Sequence, residues 1–242
     1  MNMANRPVNL RARHRLCIVC EGHEEELYLR HLLGRQVWSD IYDFTIVNAK
    51  GEGNVPARFQ YAVNRDIYEV VLAFCDTDRS PYRQYLEVKE KIDSLYECGN
   101  ACAEVMIYAN PCSMQIILSH FAEVSLRTQG KKTNARLIET LTGIKDYKGS
   151  MEQIQAICSK MTRQSYDQMK QRIAGLDHPD NEPGSTNFIR FALRFEASSP
   201  EWIQGILSVL DQPNGAMTRI GVPAGGRCRK PGHHASDPSL GG

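Results

Sequence analysis

Three carboxylates stand where short apolar runs stop. Glu21 follows LCIVC (16–20), and Asp76 and Asp78 follow VVLAFC (70–75), some 55 residues further on. Both runs are partly β-branched and end abruptly, as strands buried in a parallel sheet do. In an open parallel sheet, ligands gather at the carboxyl ends of the strands. Acids from separate parts of the chain would therefore converge on one edge. Asp76 and Asp78, two apart at a strand end, can point the same way and share a hard cation. Carboxylate oxygens with retained waters are what magnesium prefers. Such an ion can polarise a phosphodiester, help generate hydroxide and stabilise the leaving oxygen. Glu21 then serves either as a second metal ligand or as the proton-transfer group. Gly22 allows close approach of a phosphate to the backbone. A lone Asp-x-Asp occurs in many surface turns; the pairing of Glu-Gly at one strand end with Asp-x-Asp at another is what favours a site over ordinary turn acids.

The elements that would position these residues follow from periodicity. EEELYLRHLLG (24–34) reads as a helix with an acidic first turn, as the macrodipole favours. FTIV (44–47) reads as a second strand, followed by the Gly-rich turn GEGN (51–54) and a helix over about 56–65. The run at 70–75 is the third strand, 82–98 a helix, and 105–108 a fourth strand. Strands alternating with helices in this rhythm predict an α/β fold with a right-handed parallel sheet of about four strands. The remainder reads mainly as helix, over 112–126, 133–142, 151–174 and 187–196. The methionines of the third of these are expected as core filler. Four units result: a basic N-terminal arm over 1–15, an α/β core over 16–125, a mainly helical extension packed on it over 126–211, and a disordered tail over 212–242.

Bulk properties narrow the field. The 242 residues are 42% hydrophobic with a formal net charge of +1, which argues for a proper core and against a protein that coats nucleic acid through global charge. Any basic surface must be local, such as Arg6, Arg11, Arg13 and Arg15 near the N-terminus. No stretch approaches the apolar length of a membrane span, and the first residues lack a signal-peptide pattern, so a cytoplasmic protein without membrane partners is expected. The eight cysteines are then expected as thiols. Cys17 with Cys20 and Cys98 with Cys102 have zinc-like spacing. The first pair, however, falls inside a strand, where residues three apart face opposite ways.

Six segments in sequence order carry a resemblance. These are CEGHEEELYL (20–29), GEGN (51–54), AFCDTDR (73–79), NPCSMQIILSHF (110–121), DYK (146–148) and GSTNF (184–188). Together they resemble the Toprim fold of topoisomerases, primases and overcoming-lysogenization-defect nucleases. They are most similar to the RloB-like branch found near restriction and phage-defence genes. The resemblance implies a Toprim-like, Rossmann-like sheet with a magnesium or manganese site at Glu21, Asp76 and Asp78. Glu25 falls on that family's downstream acid. The chain departs from the pattern at Ser113 and Met114, where the family usually has an aromatic and a glutamate, and at Glu24, where it usually has threonine.

Accessory roles follow from the same match. His120 either packs in the core or contacts phosphate. Lys148 either binds phosphate or is a surface lysine. Arg79 either neutralises developing charge or pairs with Asp78. Asn110 either caps the next helix or takes part in catalysis, with capping favoured. The implied function is a metal-dependent nuclease cutting RNA, tRNA included, or DNA, as an effector of anti-phage defence. Because the chain has no Walker-type loop, ATP dependence would come from an ABC- or AAA-type ATPase partner. The alternative is a catalytically weak or inactive Toprim subunit that acts by interaction. A primase or topoisomerase fragment finds no zinc ribbon or tyrosine-nucleophile domain to support it.

Overall fold

A computed structural model describes residues 13–77 and 82–212. Asp78 and Arg79 lie outside these residues, as do nearly all of the basic arm and the tail. Four strands form one sheet: β1 (His14–Cys20), β2 (Tyr42–Asn48), β3 (Val70–Asp76) and β4 (Met106–Ala109). Their order is β2-β1-β3-β4, and every neighbouring pair is parallel. β1 and β3 occupy the centre and are almost wholly buried, which is why they read as unbroken apolar runs rather than alternating ones. The chain leaves β1 toward one edge and β3 toward the other. The order therefore reverses between these two strands, and their carboxyl ends open a crevice of the kind that holds ligands in such sheets.

Helices flank the sheet. α1 (His23–Gly34) packs against β1, β2 and α7 (Met151–Ser159), and α2 (Val55–Asn64) against β1, β3 and α3 (Tyr82–Leu95). Phe188 joins Tyr28 of α1 to Phe74 of β3, with ring centroids 5.8 and 5.9 Å apart. A second aromatic cluster locks the C-terminal helices to β2: Phe195 lies 4.8 Å from Trp38 and 4.9 Å from Phe44. Such offset and edge contacts add to the area they bury.

Helix boundaries differ from the periodicity in four places. The helix expected over 82–98 ends at Leu95, and a short α4 (Ala101–Val105) follows. That expected over 112–126 shrinks to α5 (Met114–Leu118), because the buried Gln115 side chain hydrogen-bonds Val124 O and Leu126 N and holds 124–126 as irregular chain. α6 (Lys131–Thr142) starts two residues before the expected 133 and ends where expected, at Gly143, whose φ of 72° and bond from its N–H to Glu139 O (2.7 Å) form a left-handed cap. The expected helix over 151–174 is two, α7 (Met151–Ser159) and α8 (Arg163–Ile173). There the capping preference of Thr162, which accepts from Ser165 N, overrides the continuous apolar spacing. α9 (Phe188–Glu196) falls where expected. α10 (Glu201–Leu210) follows as an additional helix, its buried Ile203 and Ile206 three apart on one face.

Candidate functional site

The sheet delivers Glu21 and Asp76 to the same crevice. Glu21 N extends the β1–β3 ladder by donating to Phe74 O (3.2 Å), and Glu21 O accepts from Gly51 N (2.8 Å) in the Gly-rich turn. These bonds fix the backbone, and the Glu21 side chain then reaches across so that Oε2 accepts from Asp76 N at 3.4 Å. Asp76 is the last residue of β3 and half-buried. Its Oδ1 accepts from Ser113 N at 2.7 Å.

Ser113 binds a second acid. Its hydroxyl donates to Oε1 of the buried Glu25 at 2.5 Å, and Glu25 Oε2 accepts from Gly22 N at 2.8 Å. Glu25 thus caps α1 from its third position while facing the site. Because both of its oxygens are engaged, it orients its neighbours rather than offering a free ligand. Gly22 has an extended φ of −143°, a backbone that any residue can adopt, so its smallness matters only for what approaches it.

Glu21, Gly22, Glu25 and Asp76 line a cleft of about 300 Å³, with Glu24 and Lys131 on its wall and Cys112, Met114, Tyr147 and Gly149 beside them. Lys131 Nζ lies 2.7 Å from Glu24 Oε1. The Tyr147 hydroxyl donates to Met114 Sδ at 3.5 Å. Four carboxylates therefore meet in one partly desolvated space. Burial first, then the charges of Glu25, Glu21 and Glu24, raises Asp76 well above the ordinary aspartate range, although Ser113 N opposes this. Burial likewise raises Glu25, against the hydrogen bond from Ser113. Lys131 is lowered by burial but held above the usual lysine value by the hydrogen bond and charge of Glu24. Such a set invites positive charge into the cleft.

The donor chemistry fits a hard divalent cation: Glu21 and Asp76 offer carboxylate oxygens and no soft ligand. Yet among the described residues no three His, Cys, Asp or Glu side chains are grouped to hold a metal, and Asp78, the third expected ligand, lies outside them. The cysteines do not supply an alternative. Cys20 Sγ donates to Val47 O, Cys98 Sγ to Val209 O and Cys102 Sγ to Asp93, so one thiol of the first pair and both of the second are engaged elsewhere. Burial raises the Cys112 thiol well above its ordinary value, which disfavours a nucleophilic thiolate.

Of the expected site residues, Glu21, Gly22, Glu25 and Asp76 come together. Three others do not line the cleft. His120 is buried, with Nε2 3.0 Å from Tyr28 Oη and Nδ1 3.2 Å from Ser165 Oγ, and burial lowers its pKa to about 3. Lys148 is exposed, and its backbone N–H bonds Gln153. Asn110 does not cap α5, whose N-cap position is Ser113; its side chain donates to Asp180 O (2.9 Å) and its backbone pairs with Gly184 and Ser185. Ser113, Glu24 and Lys131 are the site members that motif spacing misses. One signal was present: Lys131 and Lys132 open a helix, where the macrodipole disfavours cations.

No family model, curated protein or solved structure matches this chain.

Proposed function

We propose that the chain is a magnesium- or manganese-dependent nuclease, hydrolysing phosphodiester bonds in RNA or DNA as the effector of an anti-phage system with an ATPase partner. The observation that carries the hydrolytic part is the meeting of Glu21 and Asp76 across two adjacent parallel strands, Oε2 to backbone N at 3.4 Å. The defence context and the ATPase partner rest on the resemblance of the sequence motifs to RloB-like Toprim proteins. Glu21 and Asp76 would hold the cation, joined by Asp78. The bound ion would supply Lewis acidity toward the scissile phosphate and a more acidic water. Ser113 fixes the Asp76 carboxylate through its N–H and Glu25 through its hydroxyl, so the acids keep their orientation. Alternatively, Glu21 would serve as the proton-transfer group rather than as a ligand.

A second reading, a Toprim subunit that acts by interaction rather than cutting, draws on Met114, which puts a thioether in the cleft where the resemblance has an acid. One experiment separates the two. Purified protein is incubated with labelled tRNA, single-stranded RNA and plasmid DNA, with magnesium or manganese, with and without EDTA, beside Asp76→Asn. The nuclease reading expects metal-dependent cutting reduced at least about a hundredfold in the variant. Absence of cutting, even with a candidate ABC- or AAA-type ATPase partner added, would leave the interaction reading.

A further inference from the structure

The Glu24–Lys131 pair is a built feature of the cleft. Lys131 is the one lysine or arginine among the described residues lining it. It sits at the start of a twelve-residue helix, where its charge gains nothing from the macrodipole. The chain at Gly149 runs directly beside the tips of Lys131 and Glu24, and its φ of 75° favours glycine there. The loop after α6 thus closes one side of the pair. Glu24 is nearly buried, its side chain 12% exposed, whereas that of Lys131 is 47% exposed and can turn from the wall to an incoming ligand.

We infer that Lys131 is the residue that contacts a backbone phosphate of the substrate, exchanging Glu24 for it when nucleic acid enters. The inference rests on the phosphodiester reading above and adds the substrate-binding group. A carboxylate beside an ammonium occupies the place an anionic phosphate oxygen would take, so the closed pair holds the cation ready. The N-terminal amides and dipole of α6 favour the same anion. On release, Glu24 adds its charge to the acidic floor. The exchange is self-consistent electrostatically: the phosphate brings the negative charge that Lys131 gives up.

The test is anisotropy titration of the full chain with labelled single-stranded RNA, single-stranded DNA and a DNA duplex over a range of salt. Calcium replaces magnesium so that binding is read without turnover. Lys131→Gln is expected to weaken binding about tenfold or more. It should also flatten log Kd against log salt by about 0.7 to 0.9, the share of one phosphate contact. Lys131→Arg should keep the wild-type slope, and Lys145→Gln on the surface should match wild type. Glu24→Gln, which releases the lysine without removing it, should bind more tightly and cut more slowly. Wild-type affinity and slope in folded Lys131→Gln, or weaker binding by Glu24→Gln, would overturn the inference while leaving the nuclease reading intact. Failure of the wild-type chain to bind any of the three nucleic acids would overturn both.

Discussion

Glu24 and Met114 are two of the three departures of this chain from the pattern it resembles, and the structure puts them on the same cleft beside Tyr147. An acid absent at one wall position is present at another, which conserves charge in a shared space. On the proposed nuclease function, Glu24→Thr should lose most of the cutting activity, about ten- to a hundredfold. The double change Glu24→Thr with Met114→Glu should recover a large part of it in the same cleavage assay. Recovery no better than the single variant would show that the acid at 24 acts only as the partner of Lys131. The sequence made Glu21 and Asp76 legible because each directly follows a buried strand, whose end can be read from apolar content alone. Ser113 was legible only as an oddity. Its role depends on two partners 37 and 88 residues away, and no local pattern encodes such a meeting.

At the scale of elements, the segment around Asp180 fastens the structure next to the site. Its carboxylate accepts from Tyr82 Oη (2.7 Å), Tyr85 Oη (3.0 Å) and Lys89 Nζ (2.6 Å), all on α3, while its backbone carbonyl accepts from Asn110. Burial works against the Asp180 anion, but these donors, led by Lys89, hold its pKa below the ordinary value. α3 starts at Tyr82, six residues after Asp76, so the Asp180 cluster anchors the far end of the stretch that bears Asp78. Replacing Asp180 by Ala would strand a lysine and two hydroxyls. The expected cost is about 2–4 kcal/mol in urea unfolding, with weakened metal-dependent cutting. A loss under about 0.5 kcal/mol, the range of ordinary surface changes, would reduce the cluster to decoration. Elements at this scale were partly legible. Strands and the first helices follow from period and end signals. The break between α7 and α8 does not, because a Thr162 cap outweighs a periodic apolar face, and α10 shows that a short amphipathic helix after Pro200 needed packing against the sheet to be recognised.

Across the whole molecule, stability should depend on pH through His120, which ties α1 to α8 by its contacts with Tyr28 and Ser165. The facing charges of His31 and Arg172 add to burial in lowering its pKa to about 3, against an ordinary value of 6.5. The unfolded chain therefore takes up a proton below 6.5 that the folded chain refuses. This contribution to stability is complete above 6.5 and is lost as pH falls toward 3, at up to about 1.4 kcal/mol per pH unit. Relative to His120→Gln, the wild type should lose roughly 2 kcal/mol more between pH 8 and pH 5, measured by denaturant titration. Parallel curves for the two proteins would show that the imidazole opens to solvent at little cost. Among the described residues no helix is long and apolar enough to cross a membrane.

The double role of Ser113 bears on when the proposed cutting activity would arise during synthesis. Its N–H and hydroxyl join an acid on β3 to one on α1, so the acidic centre closes only after the segment at 113 has docked. A ribosome will have passed Glu21, Glu25 and Asp76 well before Ser113 emerges, and a nascent chain bearing all three acids still lacks the clasp that aligns them. If the chain cuts nucleic acid, then cutting competence arrives only once Ser113 has emerged and docked, and truncated products that end before residue 113 are harmless to the transcripts and tRNAs around them.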